Sequence, residues 1–230
     1  MLQLPQIKTA GTLTDKTYEI IKKAIIELEL KPGKLITVED ISELLGVSRT
    51  PIRAALNNLM NDGLVEMVPG KGTFVKNLSQ KEVTDLLDVR ELLECYSVKL
   101  AAEMSNDEDL KQLEYILHRA ELSYKGKYKN YQEFLTFDKE FHIAIAKISK
   151  NSFLEKQLIQ LLDNSRRYLN ATTVENIVLY ALEEHRALFE QIKKKDKDNA
   201  MKYMKEHISN IKERTINYII LNEEDYSGNN

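Results

Sequence analysis

The sequence predicts a mainly α chain in two parts: three short helices followed by a β-hairpin, then an all-α antiparallel bundle of about six helices. Three observations predict it. All four prolines and six of the eight glycines stand before residue 73, so turn chemistry is concentrated in the first third. After Gly72 the next breaker is Gly126, and the last is Gly228. Between these breakers apolar residues recur with the 3.6-residue period of amphipathic helices. Of the 230 residues, 43% are hydrophobic and 30% charged, a balance that lets both parts bury a core.

The first helix is expected over about Thr14–Leu28, with Tyr18, Ile21, Ile25 and Leu28 as its apolar stripe. Lys31-Pro32-Gly33 ends it. Thr37 offers an N-cap to a second, short helix, with Asp40 completing a capping box. Ile41, Leu44 and Leu45 are expected to face inward, and Gly46 to close the helix in a tight turn. Ser48 can cap a third helix that carries Pro51 in its first turn and runs to about Asn61. Leu64–Val68 and Thr73–Lys76 read as strands joined through Pro69-Gly70-Lys71-Gly72. We place the first domain at 1–78. The second, at 79–222, has helices at about 80–104, 107–124, 130–149, 151–172, 175–194 and 196–221, and 223–230 is a polar tail expected to fray.

Composition narrows the function classes. The single cysteine, Cys95, excludes an internal disulfide and suits a cytoplasmic protein. No signal peptide and no membrane span are legible. The net charge of −3 argues against a nonspecific nucleic-acid binder. Residues 1–76, however, carry ten Lys and Arg against nine Asp and Glu, whereas the remainder is net acidic. Any contact with DNA must come from particular basic positions.

The order helix, short helix, glycine turn, helix, hairpin is that of a winged helix-turn-helix, whose second helix of the pair enters the major groove of double-stranded DNA. On that helix Arg49 and Arg53 stand four apart and share a face, which Asn57 continues. Ile52, Leu56 and Leu59 form the adjacent anchoring face. Guanidinium forks suit guanine edges or phosphates, and Ser48 and Thr50 stand where the helix N-terminus offers N–H groups to a phosphate. Gly70 and Lys71 at the hairpin tip permit close backbone approach. The bland alternative, two solvated arginines, does not account for Val47–Arg53 being followed by Asp62-Gly63-Leu64 and Gly70–Val75.

The run Ile41–Leu59 resembles the DNA-binding signature of GntR-family transcriptional regulators, a likeness spanning about residues 12–76. It implies operator recognition by a homodimer, with Arg49, Arg53 and Gly70 at the family's DNA-contacting positions. One position departs: some members carry a further DNA-contacting arginine where Glu39 stands here.

The second part holds a candidate metal site. Asp138 and His142 share one helix face, and His185 and His207 lie on two later helices among apolar neighbours. One carboxylate and three imidazoles from three helices could converge on Zn²⁺, Ni²⁺, Mn²⁺ or Fe²⁺ with positions left open for a ligand. Spacing alone leaves each histidine, His118 included, readable as a hydrogen-bonded structural residue. The stretches Asp138–His142, Ser152–Leu154, Glu184–Leu188 and Ala200–His207 resemble the FCD effector domain of the FadR subfamily over about residues 80–221. That resemblance implies a metal held by Asp138, His142, His185 and His207, with Arg90 engaging the carboxylate of a small organic-acid effector. The implied function is a ligand-controlled regulator, more commonly a repressor. Two alternatives belong to other classes: a metal-dependent enzyme with Glu184 as base, and an architectural DNA-binding protein without an effector.

Overall fold

The computed structural model describes residues 12–125, 129–172 and 175–221. They form two compact units, one ending at Asn77 and the other beginning at Leu78.

The first unit opens with α1 (Leu13–Ile26), started by a full capping box between Thr12 and Asp15. Its inward stripe ends at Ile25. Leu28, expected on that stripe, adopts a left-handed conformation (φ 61°), and Leu30 packs on the core instead. β1 (Leu35–Ile36) was not expected: it pairs antiparallel with β3, so the wing is a three-stranded sheet in the order β1-β3-β2. Two residues carry too short a pattern to read as a strand.

α2 (Val38–Leu45) is capped by Thr37, whose hydroxyl accepts from the Asp40 N–H. Leu44 does not face inward. It is 78% exposed and lines an open apolar groove with Ile20, Ala24 and Ile41, because one face of so short a helix buries only Ile41. Gly46 turns the chain at φ 63°, and the Ser42 hydroxyl donates to the Val47 carbonyl across the turn at 2.8 Å.

α3 (Arg49–Asn61) buries Ile52, Ala55, Leu56 and Leu59. Burying each large apolar side chain contributes roughly 1.5–3 kcal/mol, which fixes how the helix presents its other face. Ser48 stands at the N-cap, but its side chain makes no capping hydrogen bond. The residue three on is Pro51, which has no N–H to give. β2 (Val65–Val68) and β3 (Gly72–Val75) form the hairpin, in register Val65↔Val75 to Val68↔Gly72.

The second unit contains six helices among the described residues: α4 (Gln80–Met104), α5 (Asp107–Ser123), α6 (Tyr131–Ile148), α7 (Ser152–Thr172), α8 (Glu175–Lys193) and α9 (Lys197–Leu221). The expected break at Gly126 lies outside the described residues. Other breaks have local causes. Asn106 starts α5 with a capping box to Asp109. Lys150 turns left-handed (φ 53°) before Asn151 caps Leu154, and Lys195 (φ 61°) precedes Asp196, which caps Asn199. α4 packs along α9 and also touches α6, α7 and α8. Its buried stripe, Val83-Leu87-Arg90-Glu94-Ser97-Val98-Ala101, is apolar or small except at two ionic positions in its middle.

Candidate functional site

Two groups of residues carry chemistry, one in each unit. In the first, Ser48, Arg49, Thr50, Arg53, Asn57, Gly70 and Lys71 are all exposed. Arg49, Arg53 and Asn57 lie one turn apart along α3, a rise of about 6 Å per step, on the exposed face beside the buried Ile52, Leu56 and Leu59. Gly70 (φ 76°) leads the wing turn, closed by the Lys71 N–H donating to the Val68 carbonyl at 3.0 Å. Arg49 Nη2 stands 3.4 Å from Glu39 Oε1 on α2. Among the described residues Arg53 and Lys71 form no ion pair.

In the second unit His142, His185 and His207 are fully buried, and each offers a ligand nitrogen within 4.8 Å of the others. The sequence gap between α6, α8 and α9 closes because all three helices meet in the bundle. His185 Nε2 lies 3.3 Å from His207 Nε2 and 3.6 Å from Asp138 Oδ1. Phe141 walls the cluster, with its ring 4.9 Å from that of His185. His118 is exposed and apart from it.

Carboxylates hold the outer nitrogens. His207 Nδ1 donates to Glu184 Oε2 at 2.6 Å, and Glu184 Oε1 accepts from Asn210 Nδ2 at 2.7 Å. His142 Nδ1 contacts Glu94 Oε2, and Glu94 Oε1 accepts from Arg90 Nε. Donation at Nδ1 leaves the Nε2 lone pair of His207 to face the cluster. Both ring nitrogens of His142, Glu94 Oε2 and both terminal nitrogens of Arg90 are buried with no hydrogen-bond partner.

Electrostatics keep this set ready for a cation. Burial, then the neighbouring His207, His142 and Arg90, lowers the His185 pKa well below its ordinary value, so the imidazole stays neutral. Burial also lowers that of His207, partly offset by Glu184. Burial pushes the Glu94 carboxyl up, but Arg90 and His142 outweigh it and bring the pKa down to about 2. Three buried imidazoles beside a carboxylate, with a buried nitrogen lacking a partner, fit a divalent metal ion. Glu94 is the site residue that sequence reasoning missed. Its spacing from Arg90 was legible, but an i, i+4 ion pair on a helix is ordinarily a surface feature. Glu184 stands as the partner of His207, Asn210 and Arg214, which leaves it poorly placed as a general base.

Comparisons with known proteins bear on both units. The gntR family of bacterial regulatory proteins matches residues 13–75, and the FCD domain matches residues 85–210. The chain is 30% identical to the HTH-type transcriptional regulator YdhC of Bacillus subtilis (strain 168), over 84% of this chain and 86% of that protein. It is 24% identical to the HTH-type transcriptional repressor RspR of Escherichia coli (strain K12), over 90% and 91%. In fold it resembles a GntR transcriptional regulator from Rhodococcus sp. RHA1, with a TM-score of 0.76 and 21% identity, covering 89% of this chain and 97% of that one. No helix among the described residues is long and apolar enough to cross a membrane. The chain therefore belongs to the GntR family, with a GntR helix-turn-helix domain followed by an FCD domain, and is a transcriptional regulator, not an enzyme.

Proposed function

We propose that the chain is a cytoplasmic, homodimeric repressor whose hold on operator DNA is controlled by a small carboxylate bound at a metal in the FCD unit. The observation that carries this reading is the buried trio His142, His185 and His207, two of them held at Nδ1 by Glu94 and Glu184. His142, His185, His207 and Asp138 would hold the ion. When bound, a divalent ion (Zn²⁺, Ni²⁺, Mn²⁺ or Fe²⁺) supplies open coordination positions to a carboxylate. Arg90, with two buried amino groups lacking partners, offers a bidentate fork to the same anion. Repression rests on the name of RspR, a relative along nearly the whole chain.

On the DNA side Arg49 and Arg53 would reach guanine edges or phosphates, Asn57 an adenine edge, and Ser48 and Thr50 a phosphate at the α3 N-terminus. Gly70 and Lys71 would bring the wing against the backbone. Ser48 is available for this role because Pro51 leaves its hydroxyl without a capping partner.

α4 links sensing to assembly. Its buried face carries Arg90 and Glu94, and its opposite face exposes Val89, Leu92 and Tyr96. Positions 89, 92 and 96 follow the three-four spacing of a helix–helix seam, which suits a two-fold dimer on a pseudo-palindrome. An effector changes operator affinity only through different affinity for two dimer geometries, and a shift of α4 alters both faces together.

His185→Ala tests the metal reading. Elemental analysis is expected to find at least tenfold less bound metal at equal loading, and added Zn²⁺ is expected no longer to raise the melting temperature. Equal metal content in the variant and the parent chain would refute the site.

A further inference from the structure

The guanidinium of Arg49 has a partner within its own unit. Glu39, in the first turn of α2, places Oε1 3.4 Å from Arg49 Nη2 at the first position of α3. Both side chains are more than three-fifths exposed, so burial does not force the pair. An acidic residue in a first turn is explained in general by the helix dipole. The dipole does not explain why this carboxylate reaches across the turn to a basic side chain on the next helix. In the helix-turn-helix arrangement the first helix of the pair crosses the DNA backbone, so a negative charge there opposes the phosphates.

We infer that Glu39 is a specificity-determining residue of the DNA-reading face, acting through Arg49. An exposed ion pair is weak, and trading it for a single phosphate contact gains little. A bidentate contact with a guanine edge is stronger and outcompetes the pair. Arbitrary sequence therefore meets an Arg49 already engaged, and only a matching base edge releases it. The inference rests on the proposed contact of Arg49 with DNA.

The test uses the full chain and a fluorescent duplex of arbitrary sequence, titrated between about 50 and 200 mM salt. Glu39→Gln is expected to bind about two- to fivefold more tightly than the parent chain, the range an exposed ion pair supplies. Its plot of log K against log salt is expected to be steeper by about 1, one additional phosphate contact. In an Arg49→Ala background the gain from Glu39→Gln should largely vanish, and Glu39→Asp should restore weak binding. Unchanged affinity and slope in Glu39→Gln, with Arg49→Ala weakening binding, would overturn the role of Glu39 alone. A gain that persists undiminished without Arg49 would reduce Glu39 to general repulsion and also overturn it. Unchanged binding in Arg49→Ala would overturn the DNA contact on which the inference rests.

Discussion

Gly72 shows how much of the wing depends on one residue. It stands at φ 122°, and a Cβ built there would meet Leu35 Cδ1 at 2.8 Å. The contact exists because β1 pairs with β3 next to that point, Leu35 opposite Phe74. Gly72→Ala should destabilise the chain by roughly 1–3 kcal/mol, from a left-handed conformation forced on a residue with a Cβ and from the displaced leucine. Urea unfolding followed by circular dichroism checks it, and an unmoved midpoint would remove the strain argument. The need for glycine in the turn was legible in Pro69-Gly70-Lys71-Gly72. The leucine it accommodates was not, because β1 contributes too few residues to make an alternating pattern. At the proposed metal site, the sequence offered Asp138 and the three histidines as a set only through a resemblance, and the structure gathers the three imidazoles with Asp138 Oδ1 3.6 Å from His185 Nε2. Glu94 was hidden because nothing local distinguishes a buried helical ion pair from an exposed one. Burial came from tertiary packing of α4 against four other helices.

At the scale of elements, most helices could be read directly, because breakers and caps stand at their ends: Thr37 before α2, Asn106 before α5, Asn151 before α7 and Asp196 before α9. Periodicity misplaced residues where an element is short or ends early, as with Leu44 on α2 and Leu28 beyond α1. α4 carries the strongest element-level expectation. Leu92 is 70% exposed, and Tyr96 lies one turn along. If this face is the seam between two copies, Leu92→Glu or Tyr96→Glu should weaken self-association by about tenfold or more, since a charge in an apolar seam has no partner. Helical content should stay unchanged, because neither side chain contributes to the core. Sedimentation equilibrium reads the result, and a dimer of undiminished strength in both variants would move the interface elsewhere.

At the scale of the molecule, charge alone concealed the activity. A net of −3 describes a chain that avoids nucleic acid, and only the separation of a near-neutral helix-turn-helix unit from an acidic FCD unit reverses that impression. The two units divide the work by their architecture. A small core rich in Ile and Leu holds α3 so that one face is buried and the other meets solvent. A bundle with ionic residues at its centre holds three imidazoles together out of water. The central claim is that the exposed face of α3 reads base sequence as a symmetric pair. Selection from a pool of randomised duplexes, sequenced after several rounds, tests it most directly. The parent chain should enrich a pseudo-palindrome whose half-sites are centred about one helical turn, or a multiple of one, apart, and a chain carrying both Arg49→Ala and Arg53→Ala should enrich none. Recovery of the same motif by the doubly substituted chain, or no motif by the parent chain, would contradict the account.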